Sequence, residues 1–284
     1  MITSKQLKLQ RLKVLPNSTW VDVSECDLSS LDFETTKLTY LDCRSNRLMG
    51  LPDLPMCEYL NCGCNHITDL PKLPVCAWLN CEHNLLMILP DLPMCASLDC
   101  YNNQLYVLPK LSMCVSLNCG GNHLSRLPQL PMCKNLICVL NGIKVLPILP
   151  VCVKLSCYVN QISSLPKLPM CVTLHCEYNQ IRDLPDLPNC ASLNCEHNQI
   201  SSLPKLPMCV KLSCNHNRLK FTTISEWKLV WVFREAIILW KFRNRVRTII
   251  RKKMATRLSM LNLEVLWSPD NFKKPYLSEQ KAKW

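Results

Sequence analysis

The chain has 284 residues and a net charge of +12, and its composition combines 20 Pro and 21 Cys with only 5 Gly. This composition is unlike that of an average globular domain and indicates a repeated sequence unit. No stretch reaches the ~20 apolar residues that span a bilayer. The first eleven residues lack the apolar core of a secretory signal peptide. We therefore expect a cytoplasmic protein whose cysteines are thiols.

The first 50 residues are an irregular start to the repeat. Apolar and proline residues reproduce the spacing of the later units, namely Leu15, Pro16, Val21, Val23, Leu28 and Leu31. Cys26 stands where the later units have asparagine. Terminal repeats of solenoids are commonly atypical. We interpret residues 1–50 as irregular N-terminal repeats that form a cap.

Residues 51–219 repeat every 19 residues in the pattern LPxLPxCxxLxCxxNx(I/L)xx. We number positions 1 to 19 from the leucine that begins each unit. The leucine at position 10 and the cysteine at position 12 have the period-two spacing of a strand with one buried face. Each unit therefore predicts one short parallel strand. Leucine at positions 1 and 4, cysteine at position 7 and Ile or Leu at position 17 also point inward, and neighbouring coils must stack to bury them.

Asparagine and proline mark two other parts of each coil. Asparagine at position 15 recurs without a slip from Asn46 to Asn217, and we expect its amide to bond backbone groups of adjacent coils at the bend after the strand. Proline occupies position 2 in all nine units and position 5 in eight of them. It predicts an extended, polyproline-like and non-helical back to each coil.

These units resemble the leucine-rich-repeat family, in particular the short LPxLP type of bacterial effector proteins. The cysteine-rich form, LPxLPxCxxLxC, is similar to proteins of large DNA viruses. The resemblance covers residues 12 to 219. It implies a β-solenoid leucine-rich-repeat fold with short parallel strands on the concave face, and a protein-interaction scaffold as its function. A viral source would place the protein in the cytoplasm of the host.

Nine cysteines occupy position 7 and ten occupy position 12, where a thiol packs as a compact hydrophobic group. A metal-binding or thiol-redox protein is the alternative interpretation, and its local candidate is Cys62, Cys64 and His66, because thiolate and imidazole suit zinc. Cys62 should point into the core, however, and no fourth ligand is suggested. We predict no metal and no cofactor.

The candidate binding surface is the concave face, where positions 9, 11 and 13 point outward. Ile137, Val139 and Leu140 predict an exposed apolar patch within one coil. Aromatic and charged side chains typical of protein interfaces lie along the same rows. The candidate contact residues are Tyr59, Trp78, Asp99, Tyr101, Ile137, Val139, Tyr158, His175 and Glu177. We expect a monomer that binds one partner protein.

Residues 220–284 hold 15 Lys and Arg against 5 Asp and Glu, a balance of +10. Apolar residues at helical spacing predict an α-helical cap over residues 220–267, and 268–284 read as a flexible tail. The basic amphipathic part is the second candidate functional module, with a calmodulin-like protein, an anionic membrane or nucleic acid as partner. Its candidate contacts are Arg243, Arg245, Arg247, Arg251, Lys252 and Lys253.

Effectors of this repeat class sometimes carry a cysteine-based ubiquitin-ligase domain after the repeats. No Cys or His follows residue 219 in this sequence, so a thiol nucleophile with a histidine base is excluded from residues 220–284. The six histidines all lie within the coils, without a catalytic triad or a phosphate-binding glycine loop. We therefore predict a protein that is not an enzyme.

Overall fold

The computed structural model describes residues 18–33, 35–219, 240, 243–249 and 252. The chain divides into two compact units, Met1–Glu226 and Trp227–Trp284. The first contains one sheet of eleven strands in sequence order, which are β1 (Trp20–Asp22), β2 (Tyr40–Asp42), β3 (Tyr59–Asn61), β4 (Trp78–Asn80), β5 (Ser97–Asp99), β6 (Ser116–Asn118), β7 (Asn135–Ile137), β8 (Lys154–Ser156), β9 (Thr173–His175), β10 (Ser192–Asn194) and β11 (Lys211–Ser213).

The strands are short and parallel, and each pairs with the strand of the next coil. Leu60 of β3 lies opposite Leu79 of β4, so the pairing is shifted by one whole repeat. Identical unit lengths bring identical positions together, and every repeated residue therefore forms a column across the sheet. This arrangement confirms the predicted solenoid of parallel strands. The LPxLP segments contain neither helix nor strand, in agreement with the predicted non-helical back of each coil.

The core consists of columns of leucine, isoleucine and cysteine. Positions 4, 7, 10, 12 and 17 are fully buried in a representative coil, at Leu54, Cys57, Leu60, Cys62 and Ile67. The predicted inward direction of these positions is thus confirmed. Leucine at position 1 is less uniform, because it is buried in some coils and half-buried in others.

The position 7 thiols do more than fill space. The Cys57 Sγ donates a hydrogen bond to the carbonyl oxygen of Tyr59 at 3.1 Å, and the same contact recurs in the next coil, from Cys76 to Trp78. Burial raises the pKa of Cys57 to about 11, so this thiol stays protonated at neutral pH. Cysteine at this position therefore combines a small apolar volume with a donor for a strand carbonyl, which a purely hydrophobic interpretation did not anticipate.

Asparagine at position 15 joins each coil to the preceding one. The Nδ2 of Asn122 donates to the carbonyl oxygen of Cys100 in the preceding coil at 3.0 Å, and to those of Cys119 and Gly120 in its own coil at 3.2 and 3.1 Å. Its Oδ1 accepts from the backbone N–H of Leu105 at 3.0 Å. The predicted role of this column, which is to satisfy backbone groups of adjacent coils at the bend, is confirmed.

The residue before each asparagine, at position 14, adopts a left-handed backbone conformation. Gly121 meets this requirement in one coil, with φ at 62°. Non-glycine residues meet it in the others, namely Ser45, Cys64, His83, Asn102, Leu140, Val159, Tyr178, His197 and His216. This conformation costs a residue other than glycine about 1–2 kcal/mol, with asparagine among the tolerated exceptions. The bends thus store strain, and its size depends on the side chain at position 14.

In the second unit, residues 243–249 form helix α1, and residues 240 and 252 are also helical. No helix among the described residues is long and apolar enough to cross a membrane. The predicted cap over residues 220–267 falls mostly on residues outside those described, as do residues 1–17 of the predicted N-terminal cap.

Replacement of Asn122 by alanine is expected to lower the free energy of unfolding by about 3 kcal/mol, because buried carbonyl and N–H groups of two coils lose their partner. Urea denaturation followed by circular dichroism measures the change. Gln104→Ala is the matched control, since Gln104 lies exposed at position 16 of the neighbouring coil, and it should change stability by less than about 0.5 kcal/mol. Equal effects of the two substitutions would contradict the structural role of the asparagine column.

Candidate protein-interaction surface

The outward side chains at positions 9, 11 and 13 of the coils form three parallel rows, which we call the strand face. The residue between positions 9 and 11 points into the core, and both of its neighbours are half-buried in five of the eleven strands, as in Ser97–Asp99. Because the strands are in register, each row has one residue in every coil. The strand face is therefore a grid whose chemistry is set by the variable residues of the repeat.

Four aromatic rings stack at position 9 of β1 to β4. Trp20 and Tyr40 are 5.1 Å apart, Tyr40 and Tyr59 are 4.4 Å apart, and Tyr59 and Trp78 are 4.1 Å apart. The rings of the last pair are nearly parallel, with 4° between their planes. The structure thus places two predicted contact residues, Tyr59 and Trp78, in one aromatic row. The regular spacing of position 9 in the sequence could have revealed this row in full.

Position 11 has a structural task as well. The Asp99 Oδ1 accepts a hydrogen bond from the backbone N–H of Tyr101 at 3.0 Å, and its Oδ2 accepts one from the Nδ2 of Asn118 at 3.0 Å. In the preceding coil, the Asn80 Oδ1 accepts from the backbone N–H of Glu82 at 2.9 Å. Burial raises the pKa of Asp99. Asp and Asn at position 11 therefore stabilise the start of the bend and leave part of the side chain at the surface.

The predicted apolar patch is correct at two residues and wrong at the third. Ile137 and Leu140 are 41% and 45% exposed, but Val139 is only 3% exposed. The cause is the glycine in the preceding coil, because a Cβ at Gly120 would lie 2.8 Å from the Cγ2 of Val139. The valine side chain occupies the space that this glycine leaves. Val139 is therefore a packing residue and is not available to a partner.

The exposed apolar surface continues along the bends instead. Val159 and Tyr178 follow Leu140 at position 14 of the next two coils and are 40% and 53% exposed. Together with Ile137 these residues form what we call the rim patch. The ring of Tyr178 stacks on His197 at 4.2 Å, and His197 stacks on His216 at 4.1 Å. The sequence predicts exposure at Leu140, but the continuation of position 14 into the next two coils was not predicted, because only positions 9, 11 and 13 were treated as outward rows.

The remaining predicted contacts lie on the strand face near β8 to β10. Tyr158, His175 and Glu177 are all half-buried. In the part of the chain that the structure describes, the Oε2 of Glu177 is a buried side-chain oxygen without a hydrogen-bond partner. Burial raises the pKa of Glu177, the nearby His175 lowers it, and the carboxylate of Glu196 raises it further. This end of the strand face therefore carries a carboxyl group in an unfavourable environment for its charge.

The candidate zinc ligands do not converge. Cys62 is fully buried, whereas Cys64 is exposed at the bend. Burial also raises the pKa of Cys62 far above that of an ordinary thiol, which opposes the thiolate form that zinc requires. Within the described ranges, no group of three or more His, Cys, Asp or Glu side chains has the arrangement of a metal site.

The basic residues of the second unit are described only in part. Arg243, Arg245 and Arg247 are exposed on helix α1, and Lys252 is exposed beyond it. Arg251 and Lys253 lie outside the described residues.

A sheet of three-residue parallel strands, with leucine and asparagine columns in coils of 19 residues, defines the leucine-rich-repeat fold. Two solved structures at about 30% identity share it. The chain is similar to YopM, a leucine-rich effector protein from Yersinia pestis, with 30% identity and a TM-score of 0.65 over 70% of this chain and 61% of that chain. It is also similar to YopM from Yersinia enterocolitica WA-314, with 31% identity and a TM-score of 0.61 over 77% of this chain and 55% of that chain.

The match therefore spans 61% and 55% of the two YopM chains. The functional domain of InlJ from Listeria monocytogenes, which includes a cysteine ladder, shares 23% identity and a TM-score of 0.54 over 74% of this chain and 46% of that chain. At that identity it supports the fold alone. Neither the protein-family models nor the curated protein sequences gave a match. The chain thus has the leucine-rich-repeat fold and is similar to a leucine-rich effector protein of Yersinia pestis.

Thiol accessibility tests the placement of the cysteines. Of the 21 cysteines, Cys64 is exposed and the other 20 are buried. The native protein should therefore release one equivalent of chromophore rapidly with an aromatic disulfide reagent and 21 equivalents in denaturant. Cys64→Ser should remove the rapid phase. Several rapidly reacting thiols in the native protein would contradict the buried columns.

The pKa of Glu177 provides a second test. Glu196→Gln should lower this pKa, because one source of repulsion disappears, but burial should still hold it above the ordinary value of 4.5. Carboxyl carbon NMR during a pH titration measures both values. Because the raised pKa makes folding less favourable once Glu177 ionises, stability should fall as pH rises above about 4.5, and less so in the variant. Glu58→Gln, at an exposed site, should leave the Glu177 titration unchanged.

Proposed function

We propose that this protein is a non-enzymatic scaffold that binds a partner protein through the strand face and the adjoining rim patch. The observation that carries this proposal is the choice of residues at the bends. Leu140 and Val159 have φ values of 53°, and both are exposed. An exposed apolar residue in a left-handed conformation gains little burial and pays about 1–2 kcal/mol of backbone strain.

Other coils show that the fold does not require this choice. Position 14 is occupied by Asn102 in one coil and Gly121 in another, and both residue types adopt the left-handed conformation readily. Strained residues that persist against an available alternative commonly mark functional sites. Leu and Val at this position in two consecutive coils therefore indicate that the apolar surface is kept for contact with a partner, despite its cost in backbone strain.

The strand face supports the same function. Trp and Tyr are enriched at the energetically important centres of protein interfaces, and four of them stack on β1 to β4. The likeness to a Yersinia leucine-rich effector protein is consistent with a scaffold of this kind. We further propose that the chain is of the short LPxLP type, acts as a monomer, and works in the cytoplasm, that of a host cell if its source is viral.

The basic helix is the second candidate module. Arg243, Arg245 and Arg247 are exposed, and so are the apolar side chains of Trp240 and Ile249. A helix with exposed basic and apolar residues suits a calmodulin-like protein or an anionic membrane, and its charge also suits nucleic acid. A truncation that ends at residue 219 separates the two candidates, because only the first one places partner binding within the coils.

The rim patch makes a prediction that separates function from folding. Leu140→Asn and Val159→Asn should each stabilise the protein by about 1 kcal/mol, because asparagine tolerates the left-handed conformation. The same substitutions should reduce partner capture from cytosolic extract, as read by quantitative mass spectrometry. Stability is measured by urea denaturation, so a loss of capture cannot be attributed to unfolding.

Ser45→Asn is the matched control, because it changes the same position of a distant coil. Its capture profile should equal that of the unmodified protein. Undiminished capture by the Leu140 and Val159 variants would show that the rim patch is not a contact surface. Capture that disappears with truncation at residue 219, and is unaffected by these variants, would assign the function to the basic helix.

A further inference from the structure

The aromatic row ends abruptly at Trp78. Its ring stacks on Tyr59 on one side, and on the other side the register pairs it with Ser97 of β5. Ser116 occupies the same row in the next coil. The second face of the Trp78 ring therefore borders the space over the small side chains of Ser97 and Ser116. A planar group of about one ring thickness would continue the stack there.

A carboxylate borders this space. Asp99 is two residues after Ser97 in the same strand and on the same side of the sheet. It accepts one hydrogen bond from Tyr101 and one from Asn118, whereas a carboxylate offers about four acceptor sites. Burial raises the pKa of Asp99 and the nearby Glu82 also raises it, whereas the hydrogen bonds from Tyr101 and Asn118 and the nearby His83 lower it. A cationic donor at this place would oppose the two effects that raise it.

Charge favours the same kind of group. In the coils that contain β3 to β5, Glu58 is exposed, and Glu82 and Asp99 are half-buried. Arg44 lies in the preceding coil, but its guanidinium is already 3.9 Å from the carboxylate of Asp42. The neighbourhood of Trp78 is therefore negatively charged.

Arginine combines the two required properties. Its guanidinium is planar, stacks on tryptophan, and can donate two parallel hydrogen bonds to one carboxylate. The ammonium group of lysine has the charge but lacks the plane. The spacing also fits, because Trp78 and Tyr59 are 4.1 Å apart, close to the separation of about 4.8 Å between adjacent strands.

We propose that the space above Ser97, between the ring of Trp78 and the carboxylate of Asp99, binds an arginine side chain of the partner protein. The guanidinium becomes the fifth layer of the aromatic row and pairs with Asp99. This inference rests on the proposed function, because it specifies what the strand face recognises. It predicts a partner segment with an exposed arginine and assigns Trp78 and Asp99 as its specificity residues.

The test uses the full chain and three short peptides that are identical except at one residue, which is arginine, lysine or citrulline. The end group of citrulline is planar but uncharged, and the ammonium group of lysine is charged but not planar. The indole N–H resonance of Trp78 is identified by its absence from the Trp78→Ser spectrum, and its shift during titration gives the dissociation constant. The arginine peptide should bind about tenfold more tightly than either other peptide.

Each variant carries the residue that a neighbouring coil has at the same position, so the substitution is compatible with the fold. Trp78→Ser copies Ser97, and Asp99→Asn copies Asn80 and can still accept from the Tyr101 N–H. Asp99→Asn should weaken arginine binding about tenfold, and Trp78→Ser should abolish the preference for arginine over lysine, as measured by calorimetry. The matched controls, Asp42→Asn and Trp20→Ser, make the same changes away from this space and should leave the Trp78 titration unaltered.

Equal binding of the arginine and lysine peptides, or equal weakening by Asp99→Asn and Asp42→Asn, would show nonspecific charge attraction and overturn the inference. So would a Trp78 resonance that does not move. Partner capture that depends on the rim patch would in that case still stand, so failure of the arginine site and failure of the proposed scaffold function are distinguishable.

Discussion

The side chain of asparagine at position 15 is the contact on which the rest of the structure depends. A coil of 19 residues cannot form its own regular backbone hydrogen bonds at the bend, because three-residue strands pair only with neighbouring coils. The Asn122 amide supplies the missing partners for both its own coil and the preceding one. These backbone groups are thereby satisfied within the protein, and the leucine and cysteine columns can stack behind the bend.

This bond imposes a constraint on the residue before it. To aim the asparagine amide inward, the backbone at position 14 turns left-handed in each coil from Ser45 to His216. The side chain at that position consequently points away from the core, so core packing does not restrict its identity. The same contact that fixes the core thus creates an exposed column, and the rim patch is built on that column.

The strand face shows a comparable division between structure and recognition. Position 11 provides hydrogen bonds to the bend in coils with Asp or Asn, so these residues are partly committed to the fold. Ile137 is the apolar exception in this row, and it adjoins the rim patch. Position 9 has no such backbone task, and its aromatic rings instead contact one another. Differences between coils in the side chains at positions 9 and 14 are therefore the best guide to what the surface recognises.

The sequence by itself determined the repeat length, the parallel strands, the inward cysteine columns and the role of asparagine. These features follow from local spacing, because a strict period of 19 residues forces equivalent atoms into columns. Only the tertiary structure decided which outward residues are accessible. Val139 is buried because Gly120 of the preceding coil leaves room for it, and Trp78 has a ring on one face and Ser97 opposite the other. Such facts depend on pairs of variable residues in adjacent coils, so neither residue reveals them alone.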